Sequence, residues 1–335
     1  MPERTAPSLL PGLALSVTVA LAAAFAADRL GAPVMLFALL FGMALNILAS
    51  DPRCEPGTAF ASKTVLRAGI VLLGALITLG EIVALGLAVF LTIASGLVLT
   101  LAVGLLLGRL MGMTAERAIL CAGAVAICGA SAALAICAVL PPREDKERDT
   151  LAVVVGVTGL STLAMVAYPA FTAALGVSDE VAGLFFGASI HDVAQVIGAG
   201  LTLSEEAGAT AAVAKLTRVV LLAPVVLAIG LFFRRRGEAG GEKAPTPAPV
   251  PLFVLGFVLV VLINSVGLLP APAAEVLTTA SRWALIVAVA ALGLRTSLAE
   301  MVRVGPALGL LLTLLTLFLA AYAWFGLNPL PPTGA

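Results

Sequence analysis

Apolar residues fall into eleven blocks along the chain, at about 9–27, 31–49, 64–80, 84–107, 117–140, 150–175, 180–203, 209–233, 250–269, 273–294 and 304–326. Each is of the length that crosses about 30 Å of hydrocarbon as a helix. Short polar turns separate them, and the one real linker is RRRGEAGGEKAPTPAPVP at 234–251, whose Gly, Pro and charges mark a solvated loop. Nothing between the blocks is long enough for a folded soluble domain. The expectation is a single integral membrane domain over 1–335, with a first half at about 31–175, a second at about 180–326 and a cytoplasmic linker at 234–250.

Two blocks are interrupted by polar residues. The block at 117–140 splits into AILCAGAVA and ALAICAVL around C-G-A-S, and the block at 180–203 into EVAGLFFGA and VAQVIGAGL around S-I-H-D. Each half has eight or nine residues, about 12–14 Å of helix, roughly half a bilayer. Re-entrant hairpins and crossing spans broken at the midplane would both produce such halves. The expected fold is an all-α polytopic membrane protein of 9–11 transmembrane helices in which these two segments are interrupted.

The chain also resembles itself. GALITLGEIVALG (74–86) and GLRTSLAEMVRVG (293–305) align without gaps and lie an odd number of segments apart, so the two copies would run in opposite directions. The blocks before them carry Asn46 and Asn264 at similar places. Gly-Ala-Ser recurs at both interruptions, each followed by a block with Thr and then Pro: Thr158 with Pro169, Thr217 with Pro224. Inverted repeats with paired interrupted helices are an architecture of secondary transporters, which bind substrate near the midplane where the backbone unwinds. Irregular backbone at that depth is tolerated where protein buries it or it lines a cavity.

Composition agrees with the membrane reading. Of 335 residues 61% are hydrophobic and 11% charged, against about 25% charged in ordinary soluble domains. The formal net charge is zero, with no hint of nucleic acid. Basic residues collect on the cytoplasmic side of membranes. A cytoplasmic N-terminus puts Arg53, Lys63, Arg67, Arg109, Arg117, Arg234–Arg236 and Arg295 inside, and the turns at Glu81, Glu205 and 270–275 outside. PPREDKERD (141–149) joins the inside group only if both interrupted segments are re-entrant. The first thirty residues could pass for a signal peptide, but ten further apolar blocks favour a first transmembrane helix. Cys54, Cys121, Cys128 and Cys137 have no CxxC spacing and there is one histidine, so neither metal nor cofactor is expected.

Candidate chemistry gathers at the interruptions. Ser189-Ile190-His191-Asp192 fits a capping box at the start of a half-helix, and Ser131 could cap its counterpart beside Cys128, Gly129 and Ala130. Helix N-termini offer unpaired N–H groups to an anion. Intramembrane ionisable groups are costly and normally face a cavity or a partner; His191 and Asp192 are candidates for a coupling ion, with Gln195 on the same face four residues later. Arg218 wants a carboxylate, Asp192 being the candidate, or a substrate anion. Lys215 lies near enough to a segment end to snorkel. Thr158 and Thr217 more often bond their own helix backbone. The expected substrate-binding set is Cys128, Gly129, Ala130, Ser131, Gly187, Ser189, His191, Gln195, Thr217 and Arg218, with Thr158, Lys215, Asn46 and Asn264 secondary.

ICGASAALA (127–135), SIHDVAQVIGAG (189–200) and KLTRVVLLAP (215–224), in this order, resemble the bacterial transporters designated sulfate exporters, over nearly the whole chain. That family is grouped with the bile acid:sodium symporter and sodium/proton antiporter superfamily. The resemblance implies a secondary transporter, an exporter of sulfate, a sulfonate or another sulfur oxyanion, in the bacterial inner membrane, with proton or sodium coupling. The chain lacks the paired Asp of electrogenic antiporters. The partners implied are the bilayer and a small anion, with a homodimer left open. Competing readings are an anion channel, for which no filter motif is visible, and a membrane enzyme, for which no catalytic motif is found.

Overall fold

The computed structural model describes residues 8–30, 34–49, 51–84, 86–143, 145–235, 252–296 and 305–327. Among them every regular element is helical: α1 (Leu10–Leu30), α2 (Val34–Ala44), α3 (Asn46–Ala49), α4 (Glu55–Phe60), α5 (Leu66–Leu73), α6 (Leu79–Ala84), α7 (Gly86–Leu110), α8 (Ala115–Ala126), α9 (Ala130–Val139), α10 (Lys146–Leu175), α11 (Asp179–Ser189), α12 (Val193–Leu203), α13 (Glu205–Val220), α14 (Leu222–Arg235), α15 (Leu252–Ser265), α16 (Ala271–Arg295) and α17 (Pro306–Leu327). A π-helical turn (Ala61–Val65) joins α4 to α5, and a 3-10 turn (Gly74–Leu76) follows α5. Among the described residues seven rods are long and apolar enough to cross a membrane, and four shorter apolar helices accompany them. The chain is a polytopic α-helical membrane protein. Most of the linker at 234–251 and of the repeat copy at 293–305 lies outside the described residues.

Contacts gather into two units interleaved along the sequence. The first comprises 1–82, 201–209 and 252–297; the second takes the rest. In the first unit glycines let helices touch backbone to backbone. A Cβ on Gly12 would strike Cys54 and Gly57 and one on Gly57 would strike Leu9 and Gly12, while Gly42 and Gly293 stand in the same reciprocal relation. Without a hydrophobic drive between helices in lipid, such small-residue contacts supply the packing. Polar side chains here close helix ends. Asn46 Nδ2 donates to the Leu294 carbonyl at 2.6 Å, and Asn264 Nδ2 to that of Ile77 at 3.1 Å.

The second unit holds both interrupted segments. Ala118–Ala126 of α8, Ala182–Ser189 of α11 and Ala194–Gly200 of α12 are buried on every face, as expected of helices apolar all round. α8 lies close on α7, where Cβ atoms on Gly104 and Gly108 would collide with Ala122 and Ala118.

The first interruption reverses the chain. Gly123 of α8 faces Ile136 of α9. At the open end Arg143 Nη1 donates to Thr114 Oγ1 at 2.8 Å, and Arg117 holds Asp149 with two bonds of 2.6 and 2.8 Å. Arg143 pairs with the same carboxylate. Segment 115–139 therefore enters and leaves on one side. The second interruption does likewise. Gly187 of α11 rests on Ala211 and Ala214, and Ile190, three residues on, receives Lys215 and Arg218, so α13 runs parallel to α11. α13 starts ten residues before Lys215, about 15 Å back. The 11-residue α12, about 16 Å long, covers that return.

Candidate functional site

α10 fixes how the two hairpins meet. It has 30 residues, about 45 Å. Asp149 at its start closes the base of the α8–α9 hairpin, and α11 opens four residues after its end. The two bases thus lie at opposite ends of α10, and both tips reach its middle. A Cβ on Gly129 would sit 3.5 Å from His191 Cβ and 3.6 Å from Val157 Cγ2, while Ser161 Oγ accepts the amides of His191 (3.2 Å) and Asp192 (3.0 Å). Four helix ends converge there: the C-termini of α8 and α11 and the N-termini of α9 and α12.

The C-terminal ends are closed by two cations from α13. Arg218 is 1% exposed and Lys215 0%. Arg218 donates to the carbonyls of Ala126 (3.0 Å) and Val125 (2.7 Å) at the end of α8. It also reaches those of Gly187 (3.2 Å), Ala188 (2.8 Å) and Ile190 (3.1 Å) at the end of α11. Lys215 Nζ bridges Ile127 and Ile190 carbonyls at 2.7 and 2.8 Å. The last carbonyls of a helix lack intrahelical partners and carry the negative end of its dipole. Two such ends hold these charges without a carboxylate in the fork. Arg218 therefore does not pair with Asp192, contrary to the sequence expectation, and Lys215 does not snorkel.

The N-terminal ends differ from each other. α12 is capped: Asp192 Oδ1 accepts the Ala194 amide at 2.8 Å. Ser189 is not its cap. It ends α11 and donates to the Phe185 carbonyl at 2.5 Å, because α12 starts at Val193, three residues later than a Ser-led capping box requires. α9 starts at Gly129, whose φ of 63° and ψ of −124° suit glycine, and no side chain caps it. Its first amides, Ala130 and Ser131, have no partner within the helix. Ser131 is exposed, and the Cys128 sulfur lies against the Ala132 amide.

Behind this end sit buried polar groups. Gln195 Nε2 donates to Thr162 Oγ1 at 2.7 Å, leaving Oε1 without a partner. His191 Nε2 meets Thr316 Oγ1 of α17 at 2.9 Å, leaving Nδ1 without one. Thr158 and Thr217 bond their own i−4 carbonyls, Val154 and Val213. Gly187 serves contact, since a Cβ there would meet Ala214 Cβ at 2.5 Å and the Ala211 carbonyl at 2.6 Å. Asn46 and Asn264 belong to the first unit. The structure thus groups Cys128–Ser131 with His191, Asp192 and Gln195, and places Arg218, Lys215 and Gly187 at the opposite helix ends. Ser161, Thr162 and Thr316 escaped the sequence reading, being small hydroxyls in apolar blocks with no distinguishing neighbours. An apolar groove of about 400 Å³ lies between α10, α11 and α17, lined by residues including Tyr168, Phe171, Phe185 and Trp324, away from the tips.

Over residues 11–313 the chain matches the family described as Conserved hypothetical protein 698. It is 48% identical to the UPF0324 membrane protein TauZ of Paracoccus denitrificans, covering 96% of this chain and 95% of that one. A UPF0324 membrane protein of Chlorobaculum tepidum is 48% identical over 88% of this chain and 82% of its own length. One from Rhizobium meliloti is 46% identical over 95% and 92%. No solved structure matches the chain.

Proposed function

Because the chain belongs to the Conserved hypothetical protein 698 family of membrane proteins, we propose that it is a secondary transporter of a small anion. The substrate class is sulfate, a sulfonate or another sulfur oxyanion, exported across the bacterial inner membrane by alternating access. The observation that carries this reading is the meeting of two opposed hairpins half-way along α10, with the uncapped start of α9 at the meeting point. Half-helix N-termini near the midplane are where such transporters receive anionic groups. The amides of Ala130 and Ser131 and the Ser131 hydroxyl would hold the oxyanion. Arg218 and Lys215 neutralise the opposite helix ends and keep the α8 and α11 tips in place, so they organise the site and do not touch the cargo.

An inverted repeat agrees with two hairpins based at opposite ends of α10. It agrees equally with Asn46 and Asn264, each closing a helix end in the aligned segments. Arg117 and Arg143 at the base of the first hairpin suit a cytoplasmic base, and with it a cytoplasmic N-terminus. The deciding experiment is counterflow of radiolabelled sulfate in proteoliposomes. Saturable exchange supports a transporter, and non-saturating flux identifies a channel. Absence of exchange with sulfate, sulfite, thiosulfate, taurine and sulfoacetate refutes the substrate class.

A further inference from the structure

The chain has a single imidazole, and its tautomer can be read from its neighbours. Thr316 donates its one hydroxyl hydrogen to the Leu312 carbonyl at 2.8 Å. Toward His191 Nε2 it can therefore only accept, which makes Nε2 the protonated ring nitrogen. Nδ1 carries the lone pair. It is buried and without a hydrogen-bond partner. A proton on Nδ1 would turn that lone pair into a donor.

The charges around the ring decide when that proton can bind. From α13, Lys215 and Arg218 hold the Ile190 carbonyl next to the ring, and Arg218 also holds Val125. Asp192 lies on the same turn and is engaged as the cap of α12. Cys128 stands at the end of α8. α10 presents Val157 and Ser161 and α17 presents Thr316, none of which titrates. A protonated imidazole would be a third cation set against one carboxylate in a low-dielectric site, which is unfavourable until a negative charge arrives.

Resting on the transport reading above, we propose that His191 Nδ1 is the coupling-proton site and that its proton and the transported anion bind with positive cooperativity. Each supplies the charge that the other lacks, so anion and proton cross together. Asp192 remains the cap of α12. Linkage is reciprocal: anion affinity rises as pH falls, by up to about tenfold per pH unit while the imidazole titrates, and anion binding draws a proton from solution.

A lone histidine lets nitrogen NMR of 15N-histidine-labelled protein in nanodiscs read both ring nitrogens without overlap. The expected result is a protonated Nε2 and a bare Nδ1 at neutral pH, with saturating sulfate moving the Nδ1 titration to higher pH. An Nδ1–H tautomer overturns the proposal, as does an Nδ1 titration that stays put while calorimetry shows sulfate bound. If calorimetry detects neither sulfate nor any tested sulfonate bound, the transport reading fails and the coupling with it, whereas the tautomer is decided regardless. His191→Gln keeps an N–H toward Thr316 but cannot gain a proton, and should flatten the pH dependence of sulfate affinity. Asp192→Asn keeps an acceptor for Ala194 and should retain the slope. The reverse pattern in the two variants would assign the proton to Asp192.

Discussion

Replacing Arg218 with Met keeps side-chain length and removes the fork that joins the two hairpin tips. Five hydrogen bonds go with it. The Ile190 carbonyl keeps Lys215, but those of Val125, Ala126, Gly187 and Ala188 lose the cation that holds them. At about 1–3 kcal/mol for each buried unsatisfied group, four amount to about 4–12 kcal/mol. Native proteins are stable by about 5–15 kcal/mol, so the upper end would exceed many folds. Relaxation of the tips and entry of water will limit the loss, and about 4 kcal/mol is the expected outcome. Lys215→Met is the internal control: it orphans only the Ile127 carbonyl, because Arg218 still holds Ile190, and should cost about 1–3 kcal/mol. Both variants also shed the desolvation penalty of a buried cation. That gain is common to the two, and the ordering rests on the carbonyls. Thermal unfolding of the purified proteins in detergent measures it. Should R218M melt with the wild type, or K215M below R218M, the guanidinium is not what ties the tips together.

Three further outcomes follow from the same geometry. Gly129→Ala places no atom closer than 3.5 Å to a neighbour, so its cost is the backbone conformation alone, about 1–3 kcal/mol; sulfate counterflow should fall while circular dichroism shows the helices retained. Gly187→Ala drives a Cβ into the α13 backbone at Ala211, an overpacking of about 1–3 kcal/mol that should lower the melting temperature and weaken the effect of a subsequent Arg218→Met. Asp149→Asn leaves Arg143 without its carboxylate and Arg117 with only the more distant Asp145, at 3.9 Å. Buried pairs cost about 3–5 kcal/mol to break, and partial exposure of both guanidinium groups reduces this to about 1–3 kcal/mol. Hydrogen exchange should rise in α8 and α9 and leave α7 unchanged.

Much of the fold was legible in the sequence because lipid imposes a simple rule of apolar length, and the described helices fall within a few residues of the apolar blocks. The third block is the main exception: its helix starts at Glu55, since EPGTAFASK is too polar to read as membrane. The interruptions were visible as Gly-Ala-Ser and Ser-Ile-His-Asp. Their hairpin shape was signalled only by the basic turn at 141–149, because half-helices read the same whether the chain reverses or continues. The rest lay in Asp149, which pairs with Arg117 across 32 residues and with Arg143 across 6, where the sequence showed only topology-setting loop charge. Arg218 was legible as a residue needing negative partners. That these would be carbonyls of two other helices depends on where α13 packs, which no local pattern encodes. Thr316 lay in a leucine-rich block with nothing to mark it out.

The fold-back of α8 and α9 is bolted at its mouth by the Asp149 carboxylate and at its crown by Arg218. A strut fastened at both ends cannot swing as a gate. On the proposed transport reading, cargo resting on the crown would change its access only if α8, α9, α10, α11 and α13 shifted as one block, which puts the barrier to each cycle in moving that block and not in flexing the fold-back.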